Sequence, residues 1–224
     1  MVEFENFGDA LLLRDRVYNA LKTNIIMGNI PAGQKLNIVD LANQMNISCA
    51  PVREALNLLN KDGLVELTPH KRPVVAEGNK EEYLLALELR RMLEPFAARY
   101  SINMIPSEKI SQMKVQLIDL LNAPTSLVAY TDSDLAVHEL LHCYSGSKIL
   151  SNTLAAVKTY SMRFRYLFKE DQFSDPLLLR NHIETSTKEH LRILDALESR
   201  DGDLAYDVVL AHINNYDVRN NPYD

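Results

Sequence analysis

Apolar residues recur at Val17, Leu21 and Ile25 within residues 11–27, the period of an amphipathic helix, and Gly28 supplies its stop. Pro31-Ala32-Gly33 predicts a turn. Asn37 then stands where it can cap a short helix running to about Met45, and Asp40 lies near that helix's positive end. Asn46-Ile47-Ser48 predicts a tight turn, with Ser48 capping a third helix that runs to about Leu59. Pro51 falls inside its first turn, where a missing N–H is tolerated. Leu41, Ala42 and Met45 face inward from the second helix, and Val52, Ala55, Leu56 and Leu59 share one face of the third. Cys49, Ala50, Arg53, Asn57 and Asn60 point the other way. Two short helices across a three-residue turn predict a helix-turn-helix. Gly63 ends the third helix, and residues 64–67 and 73–76 alternate like two short strands about Thr68-Pro69-His70-Lys71-Arg72, a β-wing with a basic tip.

Beyond residue 80 strand signals are absent. Breaks at Pro106, Pro124, Ser145-Gly146, Ser174-Asp175-Pro176 and Asp201-Gly202 divide a helical pattern into six helices, near 80–102, 107–122, 125–144, 147–169, 176–199 and 203–217. Glu77-Gly78-Asn79 marks a junction. The expected fold is mainly α. Residues 1–77 form a winged helix-turn-helix domain with a small two-stranded wing, and residues 78–224 form an all-helical six-helix antiparallel bundle.

With 224 residues, 46% of them hydrophobic, each domain has enough apolar side chain for a core. The net charge of −6 conceals an asymmetry. Residues 14–76 carry eight Lys/Arg against five Asp/Glu, whereas residues 77–224 carry sixteen against twenty-two. A mildly basic module on an acidic body fits local contact with nucleic acid. No basic-then-apolar leader opens the chain and no apolar run approaches a membrane span, so a cytoplasmic protein without a membrane partner is expected. Cys49 and Cys143 are too few and too far apart for a disulfide framework.

Asp134 and His138 stand four apart, one above the other on a helix face. His190 and His212 flank a turn at 199–203 whose Asp201 is eleven residues from each, so an antiparallel hairpin sets them level. A lone histidine on an apolar face is usually a hydrogen-bonded core residue. Three with an aspartate suit a divalent transition metal, zinc or nickel, with one or two positions left for water or a ligand. His190 shares its face with Ile183, Leu194 and Leu197, and His212 with Ala205, Val208, Val209 and Tyr216, so both point inward. His142 and His182 are expected at the surface. Arg90, and Arg163 or Arg165, can reach the same cavity and grip a carboxylate. The competing role for Arg90 is a structural ion pair with Glu94 one turn later.

Gly28-Asn-Ile-Pro31-Ala-Gly33-Gln-Lys-Leu36, Leu41-Ala42 and Ser48-Cys-Ala-Pro51-Val52-Arg53-Glu54-Ala55-Leu56 resemble the winged helix-turn-helix signature of the GntR family of transcription regulators. Leu89-Arg90-Arg-Met-Leu93-Glu94, Asp134-Leu-Ala-Val-His138, Glu189-His190-Leu-Arg-Ile193 and Ala211-His212-Ile213 resemble the all-helical metal-binding effector domain (FCD) of its FadR-type branch. Six helices rather than seven point to the VanR-like subgroup. The resemblance implies a homodimer on a pseudo-palindromic double-stranded operator, a small organic or sugar acid as effector, and Asp134, His138, His190 and His212 as metal ligands. Ser48, Cys49, Ala50, Arg53 and Asn57 then face the major groove, while Lys71 and Arg72 touch the backbone or minor groove. The chain departs from the family in having Cys49 and Ala50 where arginine and threonine are usual, His70-Lys71-Arg72-Pro73 where the wing carries glycine, and Ser147 where asparagine is frequent. Its operator is therefore expected to differ. A sensor for which the ion itself is the signal, and a metal-dependent enzyme, are the alternative functions.

Overall fold

The computed structural model describes residues 8–77, 80–167 and 175–220, and of these the side chains of 8–12, 80, 159–160, 162–167 and 216–220 are not described. The chain divides into two compact units, Met1–Lys80 with Met162–Leu167, and Glu81–Ser161 with Phe168–Asp224.

In the first unit α1 (Gly8–Ile26) and α2 (Ile38–Met45) both pack on α3 (Cys49–Lys61). The core comprises Val17, Leu21 and Ile25 of α1, Ala42 of α2, and Val52, Ala55, Leu56 and Leu59 of α3, all buried, while Leu41 and Met45, expected inward with Ala42, are half-buried. Asn37 caps α2 as expected, its side chain accepting from the Val39 N–H at 3.1 Å. Ser48 occupies the cap position of α3 but its side chain makes no cap bond, which corrects the expectation for this residue. The helix ends at Lys61, and Gly63 follows at φ 74, the left-handed conformation that lets the chain turn into the wing. Asn60 does not face outward. Its amide donates to the Val65 carbonyl at 2.8 Å and ties α3 to the wing.

The two strands are shorter than the alternation predicts. β1 (Val65–Glu66) pairs antiparallel with β2 (Val74–Val75), Val65 opposite Val75 and Glu66 opposite Val74. Pro73 has no N–H to extend the ladder. A third segment, not evident from the sequence, runs along the far edge of β2: Leu36 N–H donates to Pro73, Val75 N–H to Gln34 and Gly33 N–H to Val75, with Lys35 bridged to Val74.

The helices that supply the second unit are α4 (Lys80–Ser101), α5 (Ser107–Asn122), α6 (Leu127–Cys143), α7 (Lys148–Leu167), α8 (Pro176–Ser199) and α9 (Gly202–Asn220), close to the six expected, with Lys80 and Met162–Leu167 grouped in the first unit. Their ends are chemically marked. Ser126 accepts from Ala129 N–H at 3.2 Å, Ser147 from Leu150 N–H at 3.3 Å, and Asp175 from Leu177 N–H at 2.8 Å just before Pro176. Helix α8 is the hub, packing on α5, α6 and α9. Tyr130 Oη donates to Ser186 Oγ at 2.9 Å and Asp134 lies 3.5 Å from His190, both pairs 56 residues apart, so α6 and α8 run parallel and in step. The same offset matches Val137 with Ile193 and Leu141 with Leu197, four fully buried side chains at the centre of an apolar cluster that also takes in Ile105, Ile110, Leu117, Val209 and Ile213.

Candidate functional site

One oxygen of Asp134 and one nitrogen each of His138, His190 and His212 lie within 4.8 Å of one another, and all four residues are buried. Helical spacing places Asp134 and His138 on one face of α6, and the hairpin of α8 and α9 brings the rings of His190 and His212 to 4.6 Å between centroids. The Asp134 carboxylate is 3.7 Å from His138 Nε2 and 3.5 Å from His190 Nε2.

Two further carboxylates orient this set. His138 Nδ1 donates to Glu94 Oε2 at 2.6 Å, and His212 Nδ1 donates to Glu189 Oε2 at 2.9 Å. A carboxylate only accepts, so each Nδ1 carries the proton and each Nε2 keeps its lone pair for an ion. Asn215 Nδ2 steadies Glu189 from the other side at 3.2 Å. Burial lowers the pKa of His212, more than its hydrogen bond to Glu189 raises it, which favours the neutral imidazole a metal requires. Burial alone would raise Glu94, but the charge of Arg90 and the hydrogen bonds from Arg90 and His138 hold its carboxyl well below the usual carboxylate range. Among the described residues the carboxyl groups of Asp134, Glu94 and Glu189 and the guanidinium of Arg90 are all buried around this set. Donor set and orientation both fit zinc, nickel or a similar ion.

Arg90 makes the expected ion pair with Glu94 and also reaches the donor cluster. Its Nε donates to Glu94 at 2.6 Å, one terminal nitrogen to Ser161 Oγ at 3.4 Å, and the other lies 3.2 Å from His138 Nε2, inside the cluster. The side chains of Arg163 and Arg165, and that of Tyr216, lie outside the described residues. His142 and His182 correct the surface expectation. His142 is 5% exposed with Nδ1 3.3 Å from Ser151 Oγ, and His182 is half-buried, its ring edge-on to Tyr130. Glu94 and Glu189 are the residues sequence reading missed as orienting groups. The signal for Glu94 was present in its i+4 spacing from Arg90, whereas Glu189 reaches its partner across a helix pair.

In the first unit Ser48, Ala50, Arg53 and Asn57 are exposed along one side of α3, Cys49 is half-buried, and Lys71 and Arg72 are exposed at the wing. Lys35, also exposed, adds a cation beside β2 that the strand pattern did not place. His70 at the wing tip has φ 63, the conformation a glycine adopts there without cost.

Residues 13–75 match the bacterial regulatory proteins of the gntR family, and residues 86–215 match the FCD domain. The uncharacterized HTH-type transcriptional regulator YdhC of Bacillus subtilis (strain 168) is 28% identical over 200 residues, 88% of this chain and 86% of its own. The HTH-type transcriptional repressor RspR of Escherichia coli (strain K12) is 25% identical over 203 residues, 90% of this chain and 86% of its own. The fold resembles that of E. coli McbR/YncC with a TM-score of 0.69 over the whole of both chains at 21% identity. A helix-turn-helix carrying an exposed arginine face, joined to an FCD domain, makes this chain a member of the gntR family of bacterial regulatory proteins, a DNA-binding transcription regulator and not an enzyme.

Proposed function

We propose that the chain acts as a homodimer whose hold on a pseudo-palindromic operator is controlled by a small organic or sugar acid bound at a metal ion in the FCD domain. Arg53, with Ser48, Cys49, Ala50 and Asn57 around it, reads base edges in the major groove, and Lys71 and Arg72 contact phosphate or the minor groove. Residue 49 is a weaker phosphate partner than the usual arginine, so Arg53 and the wing carry more of the affinity. Asp134, His138, His190 and His212 hold the ion, which supplies a Lewis-acidic centre for a carboxylate oxygen. The observation that carries this reading is the convergence of four buried donors with Arg90 at 3.2 Å from one of them. An ion that takes the His138 Nε2 lone pair leaves that guanidinium nitrogen a donor for the acid. Six described helices are consistent with the VanR-like subgroup. The homodimer is supported by an apolar face on α4 and α7: Leu85, Met92, Phe96, Tyr100 and Ile149 are 44–83% exposed beside the buried Ala97, Leu150 and Leu154.

Control requires the acid to bind the DNA-free arrangement more tightly than the DNA-bound one, typically by about 1–3 kcal/mol. The test uses full-length protein and a duplex that it selects from a random pool. Metal content is measured first, and the duplex is then titrated with metal alone and with carboxylic acids at constant metal. The expected result is about one ion per chain and acid-dependent release, with Asp134→Ala and His190→Ala abolishing both. Metal-free wild-type protein, or metal-loaded protein whose DNA binding no acid alters, overturns it. One observation favours a second reading, in which the ion alone is the signal: Arg90 already has a carboxylate partner in Glu94. Metal alone would then shift operator binding.

A further inference from the structure

Among the described residues three buried hydroxyls of the FCD domain have no hydrogen-bond partner, those of Ser101, Thr131 and Thr187, and the two threonines lie a turn from the donor cluster. Thr131 is 3% exposed and Thr187 fully buried, and among the described residues neither Oγ1 has a hydrogen-bond partner. Threonine within a helix commonly satisfies itself on the carbonyl one turn back, and these two do not. Each stands three residues before a candidate ligand, Thr131 before Asp134 and Thr187 before His190, on the same helix face. Their separation is again 56, the offset that sets Tyr130 on Ser186 and Asp134 against His190. The two parallel helices therefore present them in step, about 5 Å along the axis from the donor cluster.

The core on the two sides of that cluster is unlike. One turn towards the C-termini, Val137 faces Ile193 in register and Leu141 faces Leu197, all apolar and fully buried. One turn towards the N-termini, the corresponding layer is Tyr130, Thr131, Ser186 and Thr187, with His182 edge-on to Tyr130. Buried polar groups without a partner destabilise a fold, so a layer that keeps two of them serves something other than packing. Tyr130 and Ser186 bond each other, which leaves the threonine pair to an outside partner. An alcohol suits them, since it donates and accepts as they do.

We propose that Thr131 and Thr187 form a hydroxyl-selecting subsite of the effector cavity, and that the effector is a hydroxy acid of about four to six carbons, long enough to span one helical turn. This rests on the carboxylate reading above. The acid group lies at the ion and Arg90, and an alcohol further along its carbon chain reaches the threonines. An acid with a methylene in place of the alcohol leaves the buried hydroxyls unpaired and is rejected by about tenfold or more.

The experiment compares malate with succinate and citrate with tricarballylate, each pair differing in one hydroxyl, by calorimetric titration of nickel-loaded full-length protein. Wild type is expected to bind the hydroxylated member of at least one pair about tenfold more tightly. Thr131→Val and Thr187→Val, of matched shape, narrow that ratio, and the double variant removes it, whereas Thr131→Ser and Thr187→Ser keep it. Nickel content is read for each sample. Metal-free Val variants are expected to melt no lower than wild type, because the hydroxyls they lose bond nothing in the protein. A lower melting temperature in those variants, or a preference that survives in the double variant, overturns the inference. Equal binding of both members by wild type overturns it alone, while binding of none of the four acids overturns the carboxylate reading beneath it.

Discussion

His70 holds the wing tip at φ 63, where a β-carbon crowds the backbone and the family's glycine does not. His70→Gly therefore removes strain, offset in part by the greater freedom of glycine in the unfolded chain, and is expected to stabilise the protein by about 0.5–1 kcal/mol in urea denaturation. Loss of stability would mean that the imidazole makes a compensating contact. Arg53 and Lys71 separate two kinds of DNA contact. Arg53→Ala should cost about 1–3 kcal/mol and relax sequence preference at one operator position, because a bidentate base contact is lost. Lys71→Ala should weaken binding evenly across sequences and reduce the salt slope by about one. Equal effects of the two substitutions on specificity would contradict the division. At this scale the sequence told which face a residue occupies but not how deep it lies. His142 repeats the face of His138 one turn on, and only the cover given by neighbouring helices makes it 5% exposed. Glu189 lies beside His190 in the chain and on another face, yet it bonds His212 because α9 returns alongside α8.

Helix boundaries were legible because the chain writes them in local chemistry: Asn37, Ser126 and Asp175 cap, Pro176 opens, and Gly63 turns. Strands were less so. The alternation of residues 64–67 and 73–76 marked the wing, but its two-residue length and the third segment at Lys35 depend on pairing with distant backbone. The four donors were readable from spacing alone, since i+4 on α6 and the symmetric hairpin about Asp201 are both properties of one or two elements. The matched register of α6 and α8 was not, because nothing in either helix specifies an offset of 56. Helix α8 carries the highest structural burden, and Ile193→Ala, at a fully buried position, should destabilise the FCD domain by about 2–5 kcal/mol through the cavity it leaves. The packing also dictates a pH dependence. Burial lowers the pKa of both His142 and His212, so as pH falls the unfolded chain takes up protons first, near 6.5, while the folded chain resists them. Their contribution to stability is intact above about 6.5 and is lost as pH falls towards the folded values, whereas the depressed Glu94 loses its contribution only in the acid carboxylate range. The melting temperature of metal-free protein should therefore drop between pH 7.5 and 5.5, and His142→Asn should make the drop shallower. A flat profile would show that neither ring is held neutral.

A regulator that reads a two-fold operator gains from joining its two reading heads, because the second engagement becomes intramolecular and avidity rises by about 10²–10⁴ without any new contact. The acidic balance of residues 77–224 gives that half of the chain no attraction for DNA, so the joining has to be done by protein surface. The exposed apolar side chains of α4 and α7 supply a candidate. Along α4, Leu85, Met92, Phe96 and Tyr100 follow helical spacing, Phe96 stacks on Tyr100 at 5.8 Å, and Ile149 at the start of α7 is 83% exposed. An antiparallel pairing of α4 with a second copy, centred between Met92 and Leu93, would set Leu85 opposite Tyr100 and Leu89 opposite Phe96. It would also bring the acidic first turn, Glu81 and Glu82, towards Arg99 of the last turn. A glutamate in the middle of such a face cannot be buried unpaired. Met92→Glu with Ile149→Glu should yield a monomer by light scattering at micromolar concentration, with metal content intact because neither residue contributes to the donor cluster. Affinity for the full operator should fall by about a hundredfold while that for an isolated half-site stays within about twofold. A variant that remains dimeric would place the interface elsewhere, and one that turns monomeric yet binds the full operator as before would show that the two heads never act together.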